Sequence, residues 1–368
     1  MAVTIKSYTT AQLEEFIHSE AFKHLPDYPI SKQRAISHIN NPRADKDDVI
    51  LYLAMLDNKI VGYRLLLVEN IIHKGTTEKV AWYSCVWVDP NQRGLGIAKK
   101  MVDAALKDWE LKIVFQGPVK ASKQLYTKDG FFKQVDLAGI RMYARFDFKT
   151  IIKNKQPGWK IALPFVGVTD KLLNVFGDVL LNLRTPRFKA ESKVLYVNEI
   201  DEELNAFLLK HQQNSPFKRA KEELNWIMKY PWVFSAPTND VLGKNYYFSS
   251  LSTDFRVFMI KLMDNEKQVK GFMLLQIREK QLSVYQTYLE DEKVAEAAQL
   301  IYQFVKTYKL NTISVFQPQL VNYFNKHTTP FLYKKTLTRA YFYSHKLAHY
   351  FEEEQLIFQA GDGDMVFT

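Results

Sequence analysis

The chain is poor in the features that mark a secreted, membrane-spanning or metal-built protein. One of its 368 residues is a cysteine, Cys85, so no intramolecular disulfide framework can form. No charged-then-apolar leader follows Met1, and no apolar run approaches the roughly 18 residues that suggest a spanning helix. The expected address is therefore the cytoplasm, without stable membrane insertion. Metal-ligand spacings are also missing. His345 and His349 have helical i,i+4 spacing, but Lys346 stands where a zinc protease needs glutamate, and Asp362 and Asp364 start like a calcium loop that is cut short. No metal is expected.

What is present is a globular composition, 47% hydrophobic and long enough for two ordinary domains. Fifty lysines and arginines against 40 aspartates and glutamates give a formal charge of +10, a balance that attracts coenzyme A, nucleic acid or an anionic surface alike. The basic residues are spread along the chain, as on a solvated surface, and no nucleic-acid-binding module is recognisable, so no nucleic-acid partner is expected.

Hydrophobic periodicity orders the first part of the chain. Val3–Tyr8 reads as a strand, Ala11–Leu25 and Lys32–Ile39 as helices, and Ile50–Leu56 with Ile60–Ile72 as a hairpin turning at Asp57, Asn58 and Lys59. A fourth strand, Lys79–Val88, leads into a helix over Gly94–Trp109. Strand Lys112–Phe115, helix Lys120–Lys128 and a long strand Phe132–Phe148 follow. From Pro157 to Arg187 the chain is strongly apolar and reads as an amphipathic helix packed between two domains.

After Lys193 the order of elements repeats faintly, beginning with strand Val194–Val197 and helix Glu202–Gln212. Val114, Phe115, Gln116, Gly117 and Pro118 are echoed by Val315, Phe316, Gln317 and Pro318. Arg141, Met142 and Tyr143 are echoed by Arg339, Ala340 and Tyr341. The expected division is a domain over 1–150, an apolar connector over 151–192, and a related domain over 193–368. The fold class is α/β (α+β), with a mixed, mostly antiparallel sheet flanked by helices.

The stretch richest in chemistry is Val86, Trp87, Val88, Asp89, Pro90, Asn91, Gln92, Arg93, Gly94, Leu95, Gly96, Ile97 and Ala98. It places two glycines where a strand gives way to a helix. A helix start exposes unpaired N–H groups and the positive end of its dipole, so it can hold a pyrophosphate. Gly94 and Gly96 let the backbone come close to phosphate oxygens, and Arg93 adds a charge. A dinucleotide fold would want a third glycine where Lys99 and Lys100 stand, and a nucleoside triphosphate loop would want Gly-Lys-Ser or Gly-Lys-Thr.

Here the chain resembles the GNAT superfamily of N-acetyltransferases, whose coenzyme motif has the form Gln/Arg-x-x-Gly-x-Gly/Ala. The resemblance implies that the main chain of Val86 and Val88, flanking Trp87, pairs with the pantetheine arm, and that the loop from Gln92 to Ala98 holds the pyrophosphate of acetyl-CoA. Leu125, Tyr126, Thr127, Lys128, Asp129, Gly130 and Phe131 resemble the family's Leu-Tyr-x-x-x-Gly-Phe, which implies Tyr126 as general acid for the departing thiolate. Independently of the name, a phenol at a helix end can donate a proton near the coenzyme sulfur. Val119 stands where family members often carry asparagine, so no contact is implied from that position.

Transfer to an amine also needs a proton acceptor, and Glu69, Glu78, Asp89 and His73 are the candidates, with Glu69 carried forward. Cys85 reads as a small residue packed in the fourth strand. In the second half, Tyr288, Leu289, Glu290, Asp291, Glu292 and Lys293 offer carboxylates instead of glycines, as expected of a degenerate copy. The apolar tail Met365–Thr368 could dock in the first domain. The expected activity is transfer of an acetyl group from acetyl-CoA to an amine in a ternary complex, and a homodimer is compatible with it. The alternative is a non-catalytic acyl-CoA sensor.

Overall fold

The computed structural model describes residues 2–117, 126, 130–148, 152, 163–185, 192–236, 245–248, 250–352 and 356–368. Its strands are β1 (Thr4–Thr9), β2 (Val49–Leu56), β3 (Lys59–His73), β4 (Thr76–Val88), β5 (Ile113–Gln116), β6 (Phe132–Tyr143), β7 (Lys193–Val197), β8 (Phe234–Ser235), β9 (Leu251–Ser252), β10 (Phe255–Met263), β11 (Val269–Arg278), β12 (Gln281–Leu289), β13 (Thr312–Val315) and β14 (Tyr333–Ser344). The helices are α1 (Thr10–His18), α2 (Glu20–Lys23), α3 (Lys32–Ile39), α4 (Ile97–Asp108), α5 (Leu163–Arg184), α6 (Glu202–His211), α7 (Lys221–Lys229), α8 (Val294–Tyr308), α9 (Pro318–Lys326) and α10 (Ala348–Phe351).

The chain forms two compact units, and neither is contiguous. The first comprises Met1–Leu137, Asn198–Phe255 and Arg339–Thr368; the second comprises Ala138–Val197 and Arg256–Thr338. This departs from the expected halves at 1–150 and 193–368, and the cause is an exchange of last strands. Ile140–Tyr143 at the end of β6 pair with Val315–Thr312 of β13 in the second unit, while Tyr341–Tyr343 of β14 pair with Gln116–Val114 of β5 in the first. The echoed triplets at Arg141 and Arg339 thus sit on the exchanged strands.

In the first unit the strands run in the order β1-β2-β3-β4-β5-β14. All neighbours are antiparallel except β4 and β5. The β2–β3 hairpin turns on Asp57 (φ 51°) and Asn58 (φ 60°), the left-handed pair that matches the twist of its strands. Gly62 on β3 is where α4 packs closest, since a Cβ there would sit 3.0 Å from Ile97 Cγ2. Thr9 and Gln12 form a reciprocal cap on α1. The tail also belongs to this core. Phe367 stacks on Trp232 at 4.4 Å, and Gly363, at φ +62°, lies against the Trp82 ring, where a Cβ would come within 2.0 Å.

The second unit runs β6-β13-β12-β11-β10-β7, with β12 and β13 parallel. Buried Ala297, Leu300, Ile301, Phe304 and Val305 of α8 cover its core. Helix α5, expected as an interdomain connector, is part of this unit.

Candidate active site

The first unit turns from strand to helix in a few residues. Val88 ends β4, the Asp89 carboxylate accepts from the Asn91 N–H at 2.9 Å, and Pro90–Gln92 make one 3-10 turn. Gly94 (φ 90°) and Gly96 (φ 69°) then bring the chain into α4. No described residue lies within 4 Å of a Cβ built on either, so the glycines are required here by backbone conformation. Gly96 caps α4 without a side chain, and a helix start has N–H groups that no intrahelical carbonyl reaches. Arg93, Gly94, Leu95 and Gly96 are exposed, Gln92 and Ala98 half-buried, and Ile97 is buried under the turn.

Beside this turn one edge of β4 has no strand partner among the described residues. Pairing with β5 stops at Ala81↔Ile113 and Trp82↔Val114, and β4 bulges at Ser84 and Cys85, opposite the Arg64–Leu66 stretch of β3. The Asp89 N–H bonds to the Val61 carbonyl at 2.9 Å, which makes that pair a hydrogen-bonded one. By the antiparallel alternation, Trp87 faces β3 with its main chain, and Val86 and Val88 direct theirs to that edge.

Tyr126 is buried and packs 4.5 Å from Phe115. The other expected members of its helix, Lys120–Leu125 and Thr127–Lys128, lie outside the described residues, as do Val119 and Asp129. Its hydroxyl oxygen accepts from the Arg64 guanidinium at 2.8 Å, and its own proton meets no acceptor among the described residues. Arg64 is 1% exposed, stacks over the Tyr83 ring at 4.1 Å, and has no carboxylate partner among the described residues.

Glu69, expected as the base, is engaged in a buried ion-pair network. It is 1% exposed, ion-paired with Arg43 and, at 3.0 Å, with Arg219, and it accepts from the Asn70 N–H. Its charge is thus balanced inside the unit by two guanidiniums. Glu78 is paired with Lys112 at 2.9 Å and accepts from Tyr350, and His73 packs edge-on against Tyr350. Burial pushes the Cys85 thiol up, so it stays protonated and packed.

Two groups near the bulge had no signal in a local motif. Asp364, brought in by the tail, accepts from the Ser84 hydroxyl, and Ser84 in turn accepts from Arg34. Arg34 stacks 3.8 Å from the Trp232 ring. Arg64 could have been noticed as a lone charge inside the apolar run Val61–Val68. A cleft of about 870 Å³ lies alongside, lined by Tyr8, Phe16, Tyr63, Trp87, Asp27 and Asp89 among others, and reaches Gln92.

The second unit makes the same strand, 3-10 turn and helix passage at Leu289, Asp291–Lys293 and Val294, but without glycine. Glu296 in the first turn of α8 accepts from the N–H and hydroxyl of Ser192 and pairs with Lys293 at 3.4 Å. That helix start holds its own carboxylate, which repels a second anion.

A sequence profile of the Acetyltransferase (GNAT) family matches residues 11–131, the stretch that contains this β4 edge and the glycine turn. Residues 11–131 thus carry a GNAT-family sequence. Solved structures show partial similarity to the chain. A GCN5-related N-acetyltransferase from Anabaena variabilis superposes with a TM-score of 0.50 at 10% identity, covering 92% of this chain and 72% of that one. One from Kribbella flavida gives 0.45 at 10% identity, with 92% and 71% covered. Saccharomyces cerevisiae N-myristoyltransferase with bound myristoyl-CoA gives 0.47 at 10% identity, with 93% and 82% covered. No curated protein matches the chain. A GNAT-family sequence implies acyl transfer from an acyl-CoA to an amine as the class of reaction. Among the described residues there is no cluster suited to a metal ion, and no helix is long and apolar enough to cross a membrane.

Proposed function

We propose that the protein is an N-acetyltransferase that moves an acetyl group from acetyl-CoA directly to an amine while both substrates are bound. The observation that carries this is the adjacency of the glycine turn into α4 and the edge of β4 at Val86 and Val88. The turn supplies main-chain donors and a positive dipole for the diphosphate, with Arg93 exposed beside it. The edge offers strand-like hydrogen bonds to the amide-bearing arm, which carries the thioester toward the bulge at Ser84.

The amine nitrogen attacks the thioester carbonyl carbon, the carbon–sulfur bond breaks, and the sulfur takes the Tyr126 proton. Arg64 occupies the Tyr126 oxygen as a donor, which leaves that proton to give and stabilises the negative charge left behind. Asp364, half-buried at Ser84, accepts the proton released by the amine. The second unit, lacking a glycine turn, contributes no second coenzyme site.

Calorimetry with coenzyme A and acetyl-CoA, followed by thioester consumption with a panel of amines and longer acyl donors, tests the proposal. Binding with turnover on acetyl-CoA supports it. Binding without turnover on any amine identifies a sensor, turnover only on longer donors moves the acyl specificity, and no binding ends the proposal.

A further inference from the structure

Helix α5 is amphipathic with the wrong side in. Val168, Leu172, Val175, Phe176, Val179 and Leu183 recur at helical spacing within an arc of about 100° and over about 22 Å. All six are 52–78% exposed. The opposite face is the buried one, and it is mostly polar, with Leu181 alone among its large apolar side chains entering the core of the second unit. Asp170 accepts from the Phe148 N–H at 3.1 Å, Asn174 exchanges two 2.8 Å hydrogen bonds with the main chain of Phe146, and Asp178 pairs with Arg145. The helix is thus fastened to the second unit by hydrogen bonds and by Leu181, and leaves its apolar stripe without a partner among the described residues.

The charges around the stripe have one sign. Asp170 is buried and half-buried Asp178 is neutralised by Arg145, whereas exposed Lys171 and Arg184 flank the stripe on its two sides. We infer that α5 lies along an anionic lipid bilayer, with its apolar stripe in the acyl boundary and its basic flanks at the headgroups. A second copy of this chain is the less suitable cover, because pairing two such faces brings like charges together.

The test is co-sedimentation of the full chain with phosphatidylcholine vesicles and with vesicles that also contain phosphatidylglycerol. The wild type is expected to sediment with the anionic vesicles, less at high salt, and only weakly with neutral ones. Leu172→Glu with Phe176→Glu should weaken this partitioning by at least about tenfold, since two apolar anchors are lost. The thermal melt should not move, because both side chains are exposed. Lys171→Glu with Arg184→Glu should weaken binding to anionic vesicles alone. Failure of the wild type to sediment with anionic vesicles, or undiminished sedimentation of Leu172→Glu with Phe176→Glu, overturns the inference. So does a wild-type dimer that the same pair of changes converts to monomer in ultracentrifugation, because the stripe is then covered by a second copy.

Discussion

Arg64 donates to the hydroxyl oxygen of Tyr126 at 2.8 Å from inside the sheet of the first unit, with no carboxylate beside it among the described residues. A buried guanidinium without a counter-ion is costly, and the phenol is the group positioned to draw on its charge. Tyr126→Phe should therefore keep coenzyme binding and slow turnover by roughly 10²–10⁴. Arg64→Met should slow turnover too, and adding it to Tyr126→Phe should cost little more, because the two act as a unit. Additive losses in the double-mutant cycle would separate Arg64 from the proton transfer.

The turn into α4 gives a second expectation. Gly96 sits at φ 69°, so Gly96→Asp strains the backbone and puts a negative charge at the phosphate position. Calorimetry should find coenzyme A binding abolished, and an affinity equal to the wild type would exclude this turn as the pyrophosphate site.

Glu69 should report on folding rather than on chemistry. Glu69→Gln leaves Arg43 and Arg219 without their shared carboxylate, and a broken buried pair costs about 3–5 kcal/mol. Urea unfolding should show that loss, with kcat per folded molecule near the wild-type value. A stable variant with collapsed kcat would restore Glu69 to the chemistry.

Asp364 is expected to behave the other way. Asp364→Asn keeps the side chain's shape at Ser84 and removes its capacity to take a proton, so kcat should fall by at least about tenfold with unchanged coenzyme affinity. Unaltered kcat would send the proton directly to water.

Asp362 sets a pH dependence of stability. Burial pushes its carboxyl up to about 7, against the pull of Arg219, the Gln359 N–H, Arg43 and Arg339. A carboxyl raised on folding holds a proton that the unfolded chain has already released, so its contribution is greatest below pH 4 and declines as pH rises toward 7. The whole span amounts to roughly 4 kcal/mol. Asp362→Asn should gain stability relative to the wild type between pH 5 and 8 in urea titrations. A constant difference across that range would contradict it.

The sequence by itself determined the local backbone of the first unit: the succession of elements from β1 to β5, the hairpin turn at Asp57 and Asn58, and the glycine passage from Val88 into α4. These depend on periodicity and on residues that tolerate positive φ, which act over a few positions. Tertiary structure decided the rest. Glu69 met its partner Arg219 from 150 residues away, and Asp364 reached Ser84 from 280 residues away. The last strands changed units because pairing edges are satisfied in space, where chain order does not bind them. In α5 the stripe was visible in the sequence, but its direction was not, since periodicity defines a face and only hydrogen bonds such as those of Asp170 and Asn174 fix which face turns inward.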